Sequence, residues 1–343
     1  MTHLFPFLKS LDPGLSTCFL ISAFGLLSSV CLTGTIVAQT EELIPVERHG
    51  QLRVEGAQIL DQHGEPVQLR GMSLFWSQWG GAYFNASVVD TLVDDWNVTL
   101  IRVPLAVHKG GYLDHPEQEV AKVMEVVDAA LARGVYVIVD WHAHDLEQHA
   151  AVKFFQELAQ GHGHHPNLIY ETWNEPVRQD WSTVIKPYHE NVVAAIREHD
   201  PDNLILLGTA LWSQDVDVAA QDPVAGTNLA YTLHFYAGSH GQKLRDKADR
   251  AMELGAALFV SEWGVSKANG DDGVFIKESR EWLDFMDEQH ISWANWSVFD
   301  KDESSAVLKP GASKFGPWAN HELKRSGRFI RHELARDVVL ASP

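Results

Sequence analysis

Leu168-Ile169-Tyr170-Glu171-Thr172-Trp173 runs directly into Asn174-Glu175-Pro176. The first six residues are short, mostly apolar and rich in residues that suit a pleated, buried strand. The next three carry an amide, a carboxylate and a ring with no N–H, which end such a strand and start a loop. The pattern recurs seven more times, at Val67–Ser73, Thr99–Pro104, Val135–Trp141, Leu204–Gly208, Tyr231–Phe235, Leu258–Trp263 and Ser292–Ser297. The longer stretches between these runs read as amphipathic helices. Val120–Arg133 places Val120, Val123, Met124, Val127 and Leu131 on one helical face. Ser182–His199 and Val274–Gln289 behave alike, with Ser182 placed to cap its helix. Eight strand–helix units predict an α/β chain folded as a (β/α)8 barrel. An open doubly wound sheet is the competing arrangement, but no Gly-x-Gly-x-x-Gly follows any of the eight runs.

The units sit in one continuous segment, residues 46–343, with no Ser/Pro-rich linker, repeat or low-complexity tract. A 343-residue chain buries a large core without covalent staples. Cys18 and Cys31 are its two cysteines and both precede residue 39, so the barrel segment has no disulfide framework, thiol nucleophile or cysteine metal site. The formal net charge of −19 repels nucleic acid and anionic membranes, and it suits a neutral polymer as partner. Twelve Trp residues exceed what core packing needs and favour flat ligands that stack.

Residues 1–38 read as a targeting segment. Lys9 gives a basic start, a mostly apolar run extends from Leu15 to Ala38, and Thr40, Glu41 and Glu42 turn the chain polar. A cut after Ala38 is expected, giving a secreted protein with no membrane partner. An uncleaved anchor is the competing reading, because the run is long enough to span a bilayer.

In a barrel the active site lies beyond the C-terminal strand ends. There the sequence places Arg102, Trp141-His142, Asn174-Glu175, His234-Phe235-Tyr236, Glu262-Trp263 and Trp296. Glu175 and Glu262 close the fourth and seventh runs, nearly opposite in the ring. Glycoside hydrolysis needs two such carboxyls, one to protonate the leaving oxygen and one to attack the anomeric carbon or activate water. Asn174 can bind a sugar hydroxyl, Arg102 can hold a nucleophile ionised, and Tyr236 can orient it. Burial near Trp and Tyr is expected to raise the acid's pKa. Two other readings compete. His142-Ala143-His144 is a His-x-His after a strand, and with His234 and Asp300 it makes a loose metal-hydrolase set. A carbohydrate-binding barrel without catalysis would keep the Trp residues but has no use for the carboxylate pair.

The chain resembles glycoside hydrolase family 5, in its bacterial endo-β-1,4-glucanase branch, over about residues 48–320. The resemblance rests on the order and spacing of Leu69-Arg70-Gly71-Met72-Ser73, Ile101-Arg102-Val103-Pro104, Val139-Asp140-Trp141-His142, Trp173-Asn174-Glu175-Pro176, Trp212-Ser213-Gln214-Asp215-Val216, His234-Phe235-Tyr236-Ala237, Ser261-Glu262-Trp263-Gly264 and Asn295-Trp296-Ser297. It implies a β-1,4-glucan substrate and a retaining mechanism, with Glu175 as acid/base and Glu262 as nucleophile. Arg102, His142, Asn174, His234 and Tyr236 fall on supporting positions. Trp296 is implied as a stacking platform, Lys301, Glu303 and Tyr112 as sugar contacts, and Trp212 as a further wall of the cleft. No metal or cofactor is called for, and the chain reads as a monomer. Mannanase and xylanase activities are the nearest alternatives within the family. Two stretches depart from the family pattern: Leu74-Phe75-Trp76-Ser77-Gln78-Trp79, where Trp76 is expected to shape outer sugar subsites, and Ala143-His144-Asp145-Leu146-Glu147-Gln148-His149.

The N-terminal reading gives a direct test. N-terminal sequencing of the enzyme recovered from cell-free medium should begin just after Ala38. Activity confined to membranes, with residue 1 retained, would mean an anchor.

Overall fold

The computed structural model describes residues 43–336. The segment read as an export signal, with Cys18 and Cys31, lies outside the described residues, as does 337–343. Among the described residues no helix is long and apolar enough to cross a membrane.

A ribbon comes first, β1 (Arg53–Glu55) paired antiparallel with β2 (Gln58–Leu60). Eight parallel strands follow: β3 (Arg70–Leu74), β4 (Leu100–Ala106), β5 (Tyr136–His142), β6 (Leu168–Glu171), β7 (Ile205–Leu207), β8 (Leu229–Tyr236), β9 (Leu258–Gly264) and β10 (Trp293–Val298). They pair in chain order, and β10 closes on β3 to complete a barrel. Each expected run overlaps its strand, so the (β/α)8 expectation is met.

The strands look uniformly apolar in sequence, yet their side chains alternate between two environments, as the pleat requires. Leu100, Ile138, Ile169, Leu206, Ala230 and Phe259 share one buried cluster with Leu52 and Ile59 of the ribbon region. This cluster fills the lower barrel interior, and the ribbon region covers it. Ile101, Val137, Val139, Tyr170, Ile205 and Leu207 belong to a second, larger cluster that packs against the helices. Two residues further along the strands, the inward positions change character. Leu100 is followed by Arg102, Ile138 by Asp140 and His142, and Ile169 by Glu171. The upper interior is therefore polar. Strand register brings these groups level, with Ser73 beside Arg102 and Asp140 beside Glu171.

One irregularity in the strand pairing shapes this polar layer. Between Thr232↔Phe259 and His234↔Glu262 the pairing advances two residues on β8 but three on β9. The same extra residue shows against β10. A bulge of this kind breaks strict alternation, and it lets consecutive residues Ser261 and Glu262 both reach the interior.

The helices follow their expected faces, with one correction. Pro116–Ala132 starts at a proline, carries Glu117 and Glu119 in its first turn, and buries Val123, Val126, Val127 and Ala130. Ser182 does not cap the helix after β6. That helix, Lys186–Arg197, is preceded by a wider turn over Trp181–Ile185, and Asp180 caps the turn by accepting from the Thr183 N–H. Ser182 donates to Asp222 instead.

Gly71 on β3 tests how tightly the barrel closes. A Cβ there would sit 1.7 Å from the Leu100 carbonyl oxygen on β4, a contact only backbone movement could relieve. Gly71→Ala should lower unfolding free energy by roughly 1–3 kcal/mol or more, the usual range for overpacking. Gly161→Ala, inside the helix Gln148–His162 with nothing within 4 Å of its Cβ, should not lower it. Equal urea midpoints for the two variants would mean the strands can part without cost.

Candidate active site

The guanidinium of Arg102 is fully buried at the centre of the polar layer. Its Nε and Nη2 donate to the two Glu171 oxygens at 2.7 and 3.2 Å. Nη2 also donates to Asn174 Oδ1 at 2.6 Å and lies 2.9 Å from Asp140 Oδ2. Nη1 donates to Glu262 Oε2 at 2.9 Å. A planar fork with five N–H donors is the side chain that can serve so many acceptors at once. The second oxygen of Glu262 accepts from the Tyr236 hydroxyl at 2.8 Å. Both oxygens of Glu262 are therefore held before any ligand arrives.

Glu175 stands on the loop after β6. Its backbone N–H and that of Asn174 bond to the Ala143 and Trp141 carbonyls, which extends the β5 pairing into the loop. Its carboxylate sits between two imidazoles. Oε1 lies 3.0 Å from His234 Nδ1, and Oε2 lies 3.0 Å from His144 Nε2. Behind His234, Nε2 meets Ser261 Oγ at 2.9 Å, and Ser261 donates to Glu171 at 2.8 Å. One oxygen of Glu175, one of Glu262 and a ring nitrogen of His234 all lie within 4.8 Å of one another. They open onto a cleft of about 530 Å³, with Leu211, Trp212 and His240 among its walls.

Burial alone would push both catalytic-candidate carboxyls up. At Glu175 the hydrogen bonds from His144 and His234 outweigh it and bring the group down to about 2. This differs from the expectation of an acid raised by apolar neighbours, because the groups that reach Glu175 are imidazoles and not Trp or Tyr rings. Glu262 is pushed up by burial and by the facing Glu175, against the pull of His234, Arg102 and Tyr236. Glu171 is also buried, but Arg102 and His234 hold it ionised, down to about 2.

Residues 60–302 match the family profile described as Cellulase (glycosyl hydrolase family 5). The chain belongs to glycosyl hydrolase family 5. Endoglucanase A of Evansella cellulosilytica is 47% identical over 278 residues, covering 79% of this chain and 57% of that protein. Endoglucanase N of Pectobacterium atrosepticum is 46% identical, covering 84% of this chain and 66% of its own length. The chain thus spans just under two thirds, or less, of these two relatives. The catalytic domain of Thermobifida fusca endoglucanase Cel5A superposes with a TM-score of 0.82 at 38% identity, covering 85% of this chain and 99% of that domain. A protein from Cytophaga hutchinsonii superposes with a TM-score of 0.84 at 46% identity, covering 85% and 96%.

Within this family 5 barrel, most of the expected site residues converge. Arg102, Asn174, Glu175, His234, Tyr236 and Glu262 form one hydrogen-bonded set. His142 sits beside it, with Nδ1 2.6 Å from Asp140 Oδ2 and its ring parallel to Trp296 at 5.3 Å. Trp296 is 5% exposed, wedged between His142 and Phe75. Trp76 stands edge-on to His142 at 4.0 Å and beside Trp79 at 5.4 Å. Trp212 is 43% exposed on the cleft wall, held by a run of left-handed backbone at Leu211, Trp212 and Ser213. Lys301 pairs with Glu303 and lies 5.7 Å over the Phe75 ring. Tyr112 is not brought to the cleft. Its ring packs in the core against Trp141 and Phe154.

The His-x-His metal arrangement does not form. His142 turns to Asp140 and His144 to Glu175, while Asp300 is held by Lys314 and the Gly311 N–H. Three site residues have no role in the sequence reading, Asp140, Glu171 and Ser261, and His144 enters it only as a metal-ligand candidate, not as a partner of Glu175. Strand alternation could have pointed Glu171 and Asp140 inward beside Arg102. Ser261 becomes visible only with the bulge.

The buried Arg102 cluster predicts a stability effect. Arg102→Met removes the counter-charge of Glu171 and Glu262 and should cost about 3–5 kcal/mol at pH 7, as for breaking other buried ion pairs. Urea unfolding measures it, and a loss below about 1 kcal/mol would mean these carboxyls are not held by Arg102. In the parent, the depressed Glu171 stabilises the fold above its ordinary value near 4.5 and loses that contribution as pH falls towards about 2.

Proposed function

We propose that this chain is an endo-β-1,4-glucanase that cleaves cellulose-like chains with retention of configuration, Glu262 serving as nucleophile and Glu175 as acid/base. The observation that carries this reading is the approach of the two carboxylates, one oxygen of Glu175 lying within 4.8 Å of one oxygen of Glu262. Retaining glycosidases hold their carboxyls about 5–5.5 Å apart, whereas inverting ones need about 6.5–9.5 Å to admit a water. Relatives named endoglucanases at 46–47% identity support the activity. The Thermobifida domain has been seen in complex with cellotetraose, which supports a β-glucan substrate.

The roles follow from the partners. Glu262 attacks the anomeric carbon as Arg102 and Tyr236 stabilise its carboxylate. The bond to the leaving oxygen breaks, and the proton held at Glu175 passes to that oxygen. Glu175 then takes a proton from water, the water oxygen attacks the same carbon, and the bond to Glu262 breaks. The sugar leaves as the β-anomer. Trp296, Trp76 and Trp212 offer aromatic faces to sugar rings, and Lys301 and Glu303 offer polar contacts on the Phe75 side. A cut within a chain is supported by the cleft running on past Leu211 and His240 into a neighbouring hollow of about 420 Å³, and by the exposed Trp79 beside Trp76, whose ring lies 5.7 Å from that of His144 on the cleft wall. In this reading residues 1–38 serve export, 46–343 are the catalytic segment, and the enzyme works as a monomer.

Stereochemistry tests the roles. With an aryl β-cellobioside and added azide, Glu175→Ala should give the β-glycosyl azide, because azide replaces water on the glycosyl-enzyme. Glu262→Ala should give the α-azide, formed from the vacated side. Swapped products would reverse the two roles, and an α-anomer as the first product of the parent enzyme would make it inverting.

A further inference from the structure

The chain Glu171–Ser261–His234–Glu175 links a buried ion pair to the candidate acid/base through three contacts of 2.8, 2.9 and 3.0 Å. Counting protons along it leads to one arrangement. Glu171 is a carboxylate bound on both oxygens by Arg102, so it can only accept. Ser261 has one hydroxyl hydrogen, and the Glu171 contact consumes it. Towards His234, Ser261 is therefore an acceptor only, and Nε2 must carry a hydrogen. The remaining contact, His234 Nδ1 to Glu175 Oε1, then holds a single proton. It lies on Nδ1 if Glu175 is ionised or on Oε1 if His234 is neutral. Without it, two lone pairs would face each other at 3.0 Å.

We propose that Ser261 is a positioning residue that fixes the His234 tautomer and thereby stores, in the His234–Glu175 hydrogen bond, the proton that Glu175 delivers to the leaving group. This inference rests on the reading of Glu175 as acid/base. It resolves how Glu175 can act as an acid although its neighbours favour its ionised form: the proton belongs to the pair. In agreement, burial would lower the His234 imidazole, but Glu171, Glu175 and Glu262 outweigh it and lift it to about 9.

Other charged and titratable groups face this pair from the neighbouring strands and loops. Glu171 Oε1 also lies 3.5 Å from His234 Nε2 directly, Arg102 reaches the pair through Glu171, and Glu262 faces it across the cleft, itself bound to Tyr236. His142 and His240 lie further off, each without a hydrogen bond to the pair. His144 binds the other Glu175 oxygen and is 40% exposed on its side chain, so its titration is common to all Ser261 variants and cancels between them.

The test uses the pH dependence of kcat/KM for Ser261→Ala and Ser261→Thr. In Ser261→Ala, a water in the vacated space can donate to Glu171 and to Nε2 together. Nε2 otherwise keeps only the Glu171 oxygen 3.5 Å away, so the tautomer is held less firmly and the proton is lost more easily. On cellopentaose, whose leaving group needs a proton, the alkaline midpoint should fall by about one pH unit, with activity down about tenfold only at pH values well above both midpoints. On a dinitrophenyl β-cellobioside, whose leaving group needs none, the alkaline midpoint should not move. Ser261→Thr restores the hydroxyl and should restore the parent midpoint on cellopentaose. A Ser261→Ala profile that keeps its midpoint while both substrates slow equally would show a merely structural role and overturn the proposal. A wild-type measurement stands beside the variants. The ¹⁵N shift of His234 should show Nε2 protonated at every pH on the active plateau, and a bare Nε2 there would overturn it too. If Glu175→Ala instead loses the dinitrophenyl substrate as fully as cellopentaose, it is the acid/base reading that fails, whatever Ser261 does.

Discussion

A single guanidinium sets the electrostatics of the barrel interior. Arg102 lies among Asp140, Glu171 and Glu262, three buried carboxyls that could not share so small a volume without it. Isolated charges in such a place would take up or lose protons to become neutral. With Arg102 present, Glu171 stays ionised, Glu262 has a fixed partner for one oxygen, and Asn174 is tied to the same fork. The position of Glu175, next along the chain from Asn174, follows from that anchor as much as from the β6 strand.

The barrel supports this cluster by dividing its interior. The lower half is filled with aliphatic and aromatic groups, and their burial stabilises the fold in the ordinary way, at about 25 cal/mol per Å² of apolar surface. The upper half contributes little net stability, because desolvating several charges opposes their attraction. What it provides is a rigid site. Preorganised hydrogen-bond partners need not reorganise when charge develops on a reacting sugar, and here both oxygens of Glu175 and both of Glu262 are already held.

The two glutamates sit in different environments. Glu262 meets a permanent cation and a phenol, whereas Glu175 meets two imidazoles that can themselves gain or lose protons. The hydrogen-bond partners fit the proposed division of labour, in which Glu262 bonds to carbon and Glu175 trades protons twice, although burial and the facing Glu175 push Glu262 up. They also show why Glu175 cannot be understood alone. Its protonation is a property of a hydrogen-bonded pair, and strongly coupled groups titrate as a unit.

Much of this was legible in the sequence. Eight apolar runs separated by amphipathic stretches determined a (β/α)8 barrel, because period-two and period-3.6 patterns bury their apolar faces together in few ways. Placement at strand ends determined Arg102, Asn174, Glu175, His234, Tyr236 and Glu262 as one group. Other points were decided only in three dimensions. Tyr112 reads like a loop aromatic but packs into the core, since where a loop folds back depends on which helices lie beneath it. Glu171 and Asp140 look like interruptions of apolar strands until alternation turns them onto Arg102. Ser261 and Glu262 are neighbours that a regular strand would point to opposite faces, and only the extra β9 residue brings both inward. His144 sits in a loop whose path no periodicity specifies, yet it binds Glu175. Sequence patterns determine which faces are buried, because that is a sum over many residues. Which polar atoms then meet at hydrogen-bond distance is set by register, bulges and loop paths, where a shift of one residue changes every partner.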